Sequence, residues 1–245
     1  MIIAPNARRN PLAIVAGAIT AAVLLLLGFV GFLGYFGGRI YRVDPATAPT
    51  PVGQAGTVAV FMSGDMGINA GMGPRLIGSL NAHGMTVLSF NSLAAFGQRR
   101  TPEDIDRIVA DTVARALRMR GARRVVLIGQ SFGADMLQYG AASLPVALRP
   151  HVAGIVLLVP GSTLLFKVSP GGVLDGAPDE SAIPSARRID WVQLTCIHGE
   201  EEEHSLCPSL TGSNVRSVTL PGGHFLGYDI PLISKTLWAS VVNGR

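Results

Sequence analysis

The sequence predicts an α/β domain with a doubly wound, mostly parallel sheet, preceded by one transmembrane helix. Three observations carry this expectation. Residues 11–36 contain no charged side chain. From Thr57 onward, short apolar runs alternate with amphipathic stretches. The apolar runs lack polar alternation, as expected of parallel strands buried on both faces.

Composition agrees with one folded domain. The chain has 245 residues, 15% charged and 48% hydrophobic, which is too apolar for a disordered chain and long enough for a sizeable core. The formal net charge is +4. Most of that excess precedes Thr57, where Arg8, Arg9, Arg39 and Arg42 face a single acid, Asp44. The remainder is nearly neutral, so no nucleic-acid partner is expected.

Taken in order, residues 1–10 read as a short cytoplasmic N-terminus and residues 11–36 as the anchor. At ~1.5 Å per residue the uncharged run spans about 39 Å, more than the ~30 Å hydrocarbon core of a bilayer. A signal-peptide core is shorter, about 7–15 residues. Ala46-Thr47-Ala48 resembles a cleavage box, but it lies far beyond the run and Pro49 follows it. An uncleaved anchor is therefore expected. Residues 37–56, rich in glycine and proline, read as a semi-extended linker. Residues 57–245 form the globular domain.

Within that domain strands are expected at 58–62, 85–90, 125–128, 154–159, 192–196 and 215–220. Helices are expected at 73–83, 101–119, 132–142 and 229–242. The second helix opens Thr101-Pro102-Glu103-Asp104, which supplies an N-cap, a first-turn proline and early acids. Residues 160–188, rich in Gly, Pro and Ser, read as an excursion or lid over the sheet.

The sequence Gly129-Gln130-Ser131-Phe132-Gly133 is a G-x-S-x-G motif between a buried strand and a helix. That context defines the nucleophile elbow of α/β-hydrolases. Glycines two before and two after the serine remove Cβ atoms that a sharp turn cannot hold. Ser131 then projects near a helix N-terminus, where N–H groups can stabilise an oxyanion. In the α/β-hydrolase chain order the acid and then the histidine follow. His224, in Leu220-Pro-Gly-Gly-His224 after the last expected strand, is the candidate base.

The acid should follow the preceding strand, where four glutamates lie between His198 and His204. A G-x-x-D spacing selects Glu202, with Glu201 as the alternative. The His and Glu spacing matches no standard metal motif, so no metal is expected. The turn Ser63-Gly-Asp-Met-Gly67 occupies the position of the oxyanion loop. Gly64 permits close approach there, and the N–H groups of Asp65 and Phe132 are the candidate oxyanion donors. Asp135, Glu200 and Glu203 are candidates for attracting a cationic substrate. The only cysteines, Cys196 and Cys207, bracket the acid loop. They read as a disulfide formed in an oxidising compartment.

Several stretches together are similar to the bacterial VirJ/AcvB virulence-protein family. They are Ser63-Gly-Asp-Met-Gly67, Asn91-Ser-Leu-Ala-Ala-Phe96, Ile128-Gly-Gln-Ser-Phe-Gly-Ala-Asp135, Cys196-Ile-His-Gly-Glu-Glu-Glu202, Cys207-Pro208 and Pro221-Gly-Gly-His224. The resemblance covers about residues 57–242 and implies a periplasmic α/β-hydrolase, with Ser131 as nucleophile and His224 as base. Its AcvB-type members are lysyl-phosphatidylglycerol hydrolases. The expected protein is thus a single-pass bacterial inner-membrane serine ester hydrolase with its catalytic domain in the periplasm. Its substrate would be a membrane phospholipid, and Ser-His-acid chemistry needs no cofactor. The alternatives are another lipid esterase or thioesterase, and a non-catalytic partner in envelope assembly.

Overall fold

A computed structural model describes residues 11–243. The expected cytoplasmic N-terminus, residues 1–10, lies outside the described residues. The first element is α1 (Pro11–Leu33), exposed along its length except near its C-terminal end, where Leu33 is buried. It is long and apolar enough to cross a membrane. Next come β1 (Tyr41–Asp44), β2 (Thr57–Met62), α2 (Gly73–Ala82), β3 (Val87–Phe90), α3 (Ser92–Phe96) and α4 (Pro102–Leu117). They are followed by β4 (Arg124–Gln130), α5 (Phe132–Ala142) and β5 (Val152–Leu158). A small ribbon of β6 (Thr163–Leu164) and β7 (Glu180–Ser181), then α6 (Ile183–Ala186), leads to β8 (Leu194–Gly199), β9 (Val215–Leu220) and α7 (Ile230–Asn243).

Among the described residues, seven strands form one sheet in the order β1-β3-β2-β4-β5-β8-β9. Every pairing is parallel except β1 with β3. Alternation along β2 divides the core. Val58, Val60 and Met62 join the layer under α4 and α5, whereas Ala59 and Phe61 join the layer under α2 and α7. All six β2 residues are buried, which is why the run shows no polar alternation. At the start of α4, Thr101 Oγ1 accepts the Asp104 N–H and the Asp104 carboxylate accepts the Thr101 N–H, a complete capping box.

Residues 37–56, expected as a linker, instead belong largely to the folded domain. Strand β1 pairs antiparallel with β3, from Tyr41 opposite Phe90 to Asp44 opposite Val87. Tyr41 packs edge-on against Phe90 and lies under the Arg115 guanidinium. Ser89 Oγ donates to Asp44, and Asn81 Nδ2 donates to the Asp44 carbonyl. The strand is a short edge element whose residues Tyr, Arg, Val and Asp mix polar and apolar groups. Such an edge carries little hydrophobic periodicity to read.

The helix α1 stops at Leu33, earlier than the end of the uncharged run. Gly34 takes a φ of 99°. The Tyr35 N–H reaches the Val30 carbonyl and the Gly34 N–H reaches the Gly31 carbonyl, the Schellman arrangement that glycine permits. Two carbonyls remain at the helix end, and the domain satisfies both. Asn69 Nδ2 donates to Phe32 O at 2.8 Å, and Asn91 Nδ2 donates to Leu33 O at 3.0 Å. The helix is therefore joined to the domain by its own last turn, with no free tether between them.

Candidate active site

All the expected catalytic side chains meet at the carboxyl ends of the parallel strands. Ser131 stands between β4 and α5, with φ 52° and ψ −126°. This strained turn is possible because the residues two before and two after it carry no Cβ. A Cβ on Gly129 would lie 2.5 Å from Ala134 Cα, and one on Gly133 would lie 2.3 Å from the carbonyl oxygens of Met62 and Ser63. The Ser131 N–H donates to Leu158 O on the next strand at 2.8 Å. The turn is thereby fixed from both sides.

His224 follows β9 and Glu202 follows β8. Ser131 Oγ lies 2.8 Å from His224 Nε2, and His224 Nδ1 lies 2.5 Å from Glu202 Oε1. The Glu202 side chain is 7% exposed while the His224 side chain is 41% exposed. The acid is thus sheltered and the base is open to the cleft. The second carboxylate oxygen of Glu202 accepts the Gly199 N–H, and the Glu202 N–H bonds back to Gly199 O. This tight turn aims one glutamate of four at the imidazole.

The remaining glutamates point elsewhere. Glu200, Glu201 and Glu203 are exposed, and Glu201 is held by its N–H on Gly222 O. The disulfide between Cys196 and Cys207 closes this loop, with Cα atoms 5.4 Å apart. Pairing with the start of the excursion braces it further: Ser162 N–H donates to His204 O and Leu206 N–H to Pro160 O. Among the described residues no group of His, Cys, Asp and Glu has the arrangement of a metal site.

Gly64, Asp65, Met66, Gly67, Gln130, Ser131, His224, Phe225 and Tyr228 are among the residues that line a small cleft. Phe132 is the first residue of α5, so its N–H has no partner within the helix. A Cβ on Gly64 would stand 3.4 Å from Ser131 Cβ, in van der Waals contact with the nucleophile's side chain. Burial raises the Asp65 carboxyl above its ordinary value, opposed by nearby His224 and reinforced by Asp175. The N–H groups of Asp65 and Met66 also favour its charged form.

Asp135 is turned away from this cleft. Its carboxylate accepts the Gly161 N–H at 2.8 Å, tying α5 to the start of the excursion. Burial pushes its carboxyl well above the ordinary value, with the Gly161 bond opposing and Glu202 adding to the rise. Phe225 and Tyr228, stacked with ring centroids 5.3 Å apart, form a cleft wall that sequence reasoning did not single out. Their position directly after His224 was the available signal.

A family model described as bacterial virulence protein (VirJ) matches residues 56–243. The chain belongs to the VirJ family. No curated protein matches it. Among solved structures, this VirJ-family chain is similar to Est1E from Butyrivibrio proteoclasticus, with 16% identity, a TM-score of 0.57, and coverage of 83% of this chain and 94% of that one. It is similar to XC6422 from Xanthomonas campestris, described as a member of the a/b serine hydrolases without lid, with 15% identity, a TM-score of 0.55 and coverage of 82% of this chain and 87% of that one. It is also similar to the alpha/beta hydrolase GrgF from Penicillium sp. sh18, with 12% identity, a TM-score of 0.59 and coverage of 82% and 92%. At these identities the likeness establishes the fold: this VirJ-family domain is an α/β-hydrolase fold.

Proposed function

We propose that this protein is a membrane-anchored serine hydrolase that cleaves the aminoacyl ester of lysyl-phosphatidylglycerol from the periplasmic side. The observation that carries the hydrolase reading is the continuous relay Ser131 Oγ, His224, Glu202 at a strained strand-to-helix turn. His224 Nε2 takes the Ser131 proton as Oγ attacks the ester carbonyl. Glu202 holds the imidazole and stabilises its cation. The N–H groups of Phe132 and Asp65 receive the oxyanion. His224 then protonates the departing ester oxygen as the C–O bond breaks, releasing phosphatidylglycerol. A water, activated the same way, releases lysine from Ser131.

Three features support an aminoacyl ester. The cleft is about 80 Å³, small beside the roughly 300–1,000 Å³ of sites that engulf larger ligands. It suits a short acyl group better than a fatty chain. Asp65 places a carboxyl in the cleft wall, where an ammonium would be favoured. The residues shared with the VirJ/AcvB family point to the same substrate class. A disulfide-bonded domain also agrees with an oxidising compartment.

A fluorophosphonate probe should label Ser131 alone. Ser131→Ala should abolish labelling and lower turnover by at least about 10³-fold. Expression of the intact protein should lower cellular lysyl-phosphatidylglycerol while the Ser131→Ala form leaves it unchanged. Labelling with no change in that lipid would keep the hydrolase and reject the substrate. Asp65→Asn should raise KM for the lysyl ester more than for an uncharged acetyl ester.

A further inference from the structure

We propose that the catalytic cleft opens directly onto the bilayer surface beside α1, and that the apolar turn Val173–Leu174 inserts among the lipid headgroups. The inference rests on α1 crossing a bilayer and is independent of the chemistry at Ser131.

The position of the helix end comes first. Asn69 and Asn91, which hold its last carbonyls, follow β2 and β3. They therefore lie at the same end of the sheet as Ser131, His224 and Glu202. Contact with the cleft wall is direct. A Cβ on Gly67, a cleft-lining residue, would lie 2.8 Å from Leu33 O. A helix emerging from the hydrocarbon at Leu33 consequently delivers the cleft to the headgroup layer with no intervening chain. From there β1 runs antiparallel to β3 and carries the backbone away from that end.

The rim has the composition of an interfacial surface. Val173 is 82% exposed and Leu174 is 72% exposed. They sit at the tip of a turn held by the Ser169 N–H and Oγ on the Asp175 carboxylate and by the Leu174 N–H on Ser169 Oγ. A turn so tied presents its apolar tip to water without collapsing. Its base lies against the cleft, since a Cβ on Gly171 would lie 4.0 Å from Met66 Sδ. Phe225 and Tyr228 are each 55% exposed at the cleft mouth. Aromatic and aliphatic groups of this kind partition into the membrane interface. Exposed Arg39, five residues beyond Gly34, and exposed Lys167 before the turn supply charge of the sign that phosphate headgroups attract.

The occupant of this rim is therefore a phospholipid surface, in the same membrane that holds α1. A substrate would reach Ser131 by moving sideways in the leaflet, with its ester at headgroup depth.

The test uses the full chain reconstituted in phosphatidylcholine–phosphatidylglycerol vesicles that contain lysyl-phosphatidylglycerol. Both native cysteines are paired, so Leu174→Cys and Val146→Cys each offer one site for an environment-sensitive nitrobenzoxadiazole label. Val146, 74% exposed, lies between α5 and β5 at the opposite end of the sheet. Emission at position 174 should rise at least about twofold and be quenched by doxyl-lipid, while position 146 stays water-like. Turnover of vesicle lipid relative to a soluble ester should fall roughly tenfold in Val173→Ser/Leu174→Ser. A water-like label at 174 in protein that floats with vesicles would overturn the docking while leaving the hydrolase intact. Shielding at 174 without lipid quenching would assign the turn to a protein partner and overturn it equally. Failure to float would remove both the anchor and this inference.

Discussion

Ser131 illustrates how backbone geometry confines a sequence. Its positive φ is tolerated only because Gly129 and Gly133 leave room for the turn. Gly133→Ala would drive a methyl into two carbonyl oxygens and should prevent folding or cost several kcal/mol, seen as loss of soluble protein. The choice of acid is a second single-residue matter. Glu202→Gln should lower kcat by about 10²–10⁴-fold, and Glu201→Gln by no more than about twofold. Equal losses would show that the loop charge, not one carboxylate, supports His224. Sequence spacing favoured Glu202 among neighbours of identical chemistry but left Glu201 open. The deciding contact depends on a turn through Gly199 and on which way each side chain faces.

Asp135 yields a pH prediction at the same scale. Its folded carboxyl keeps a proton to higher pH than the ordinary value of 3.8. The native state therefore binds more protons than the unfolded chain between those two values. Stability is then lost as pH rises through that window. Asp135→Asn retains an acceptor for the Gly161 N–H and removes the titration. It should raise Tm near pH 7, leave Tm near pH 4 little changed, and flatten the profile between them. Thermal melts across this range check it. A lower Tm near pH 7 would instead mean that the charged form is needed in place.

At the scale of elements, buried strands and amphipathic helices were legible because hydrophobic periodicity encodes them. Strand β2, buried throughout, is found within one residue of the expected 58–62, and α4, with one buried face, lies within the expected 101–119. Strand β1 was not legible. Its place depends on β3, which lies more than forty residues along the chain and provides the pairing edge. The disulfide belongs to this scale too. It closes a short loop between β8 and the residues after Glu202, with a sequence separation of 11. Reduction should cost roughly 2–3 kcal/mol, measured as a fall in Tm. It should also impair turnover, because the loop positions the acid. Unchanged activity in the reduced protein would show that hydrogen bonds to Pro160 and His204 suffice.

For the whole molecule, the revised boundary changes which pieces fold. A chain beginning at residue 37 retains β1 and its contacts with Phe90, Ser89 and Asn81. A chain beginning at Thr57 leaves the β3 edge bare. The shorter form should melt lower and aggregate more readily, measurable by calorimetry and light scattering. Equal melting would mean that β1 adds pairing without stability.

The hydrogen-bonded join between the end of α1 and Asn69 and Asn91 also has a mechanical consequence. Two side-chain hydrogen bonds couple helix and domain at this point, so a tilt of one is passed to the other. On the proposed membrane crossing, α1 has 23 residues, about 35 Å, to accommodate, and transmembrane helices tilt to match the thickness of their bilayer. Short-chain lipids would thus reorient the site against the leaflet it samples, making turnover a gauge of membrane thickness. Vesicles of graded acyl length should give graded rates. A flexible insert placed after Phe36, uncoupling the two rigid bodies only partly while Asn69 and Asn91 still hold the helix end, should leave that gradient standing; Asn69→Ala/Asn91→Ala combined with the insert should erase it.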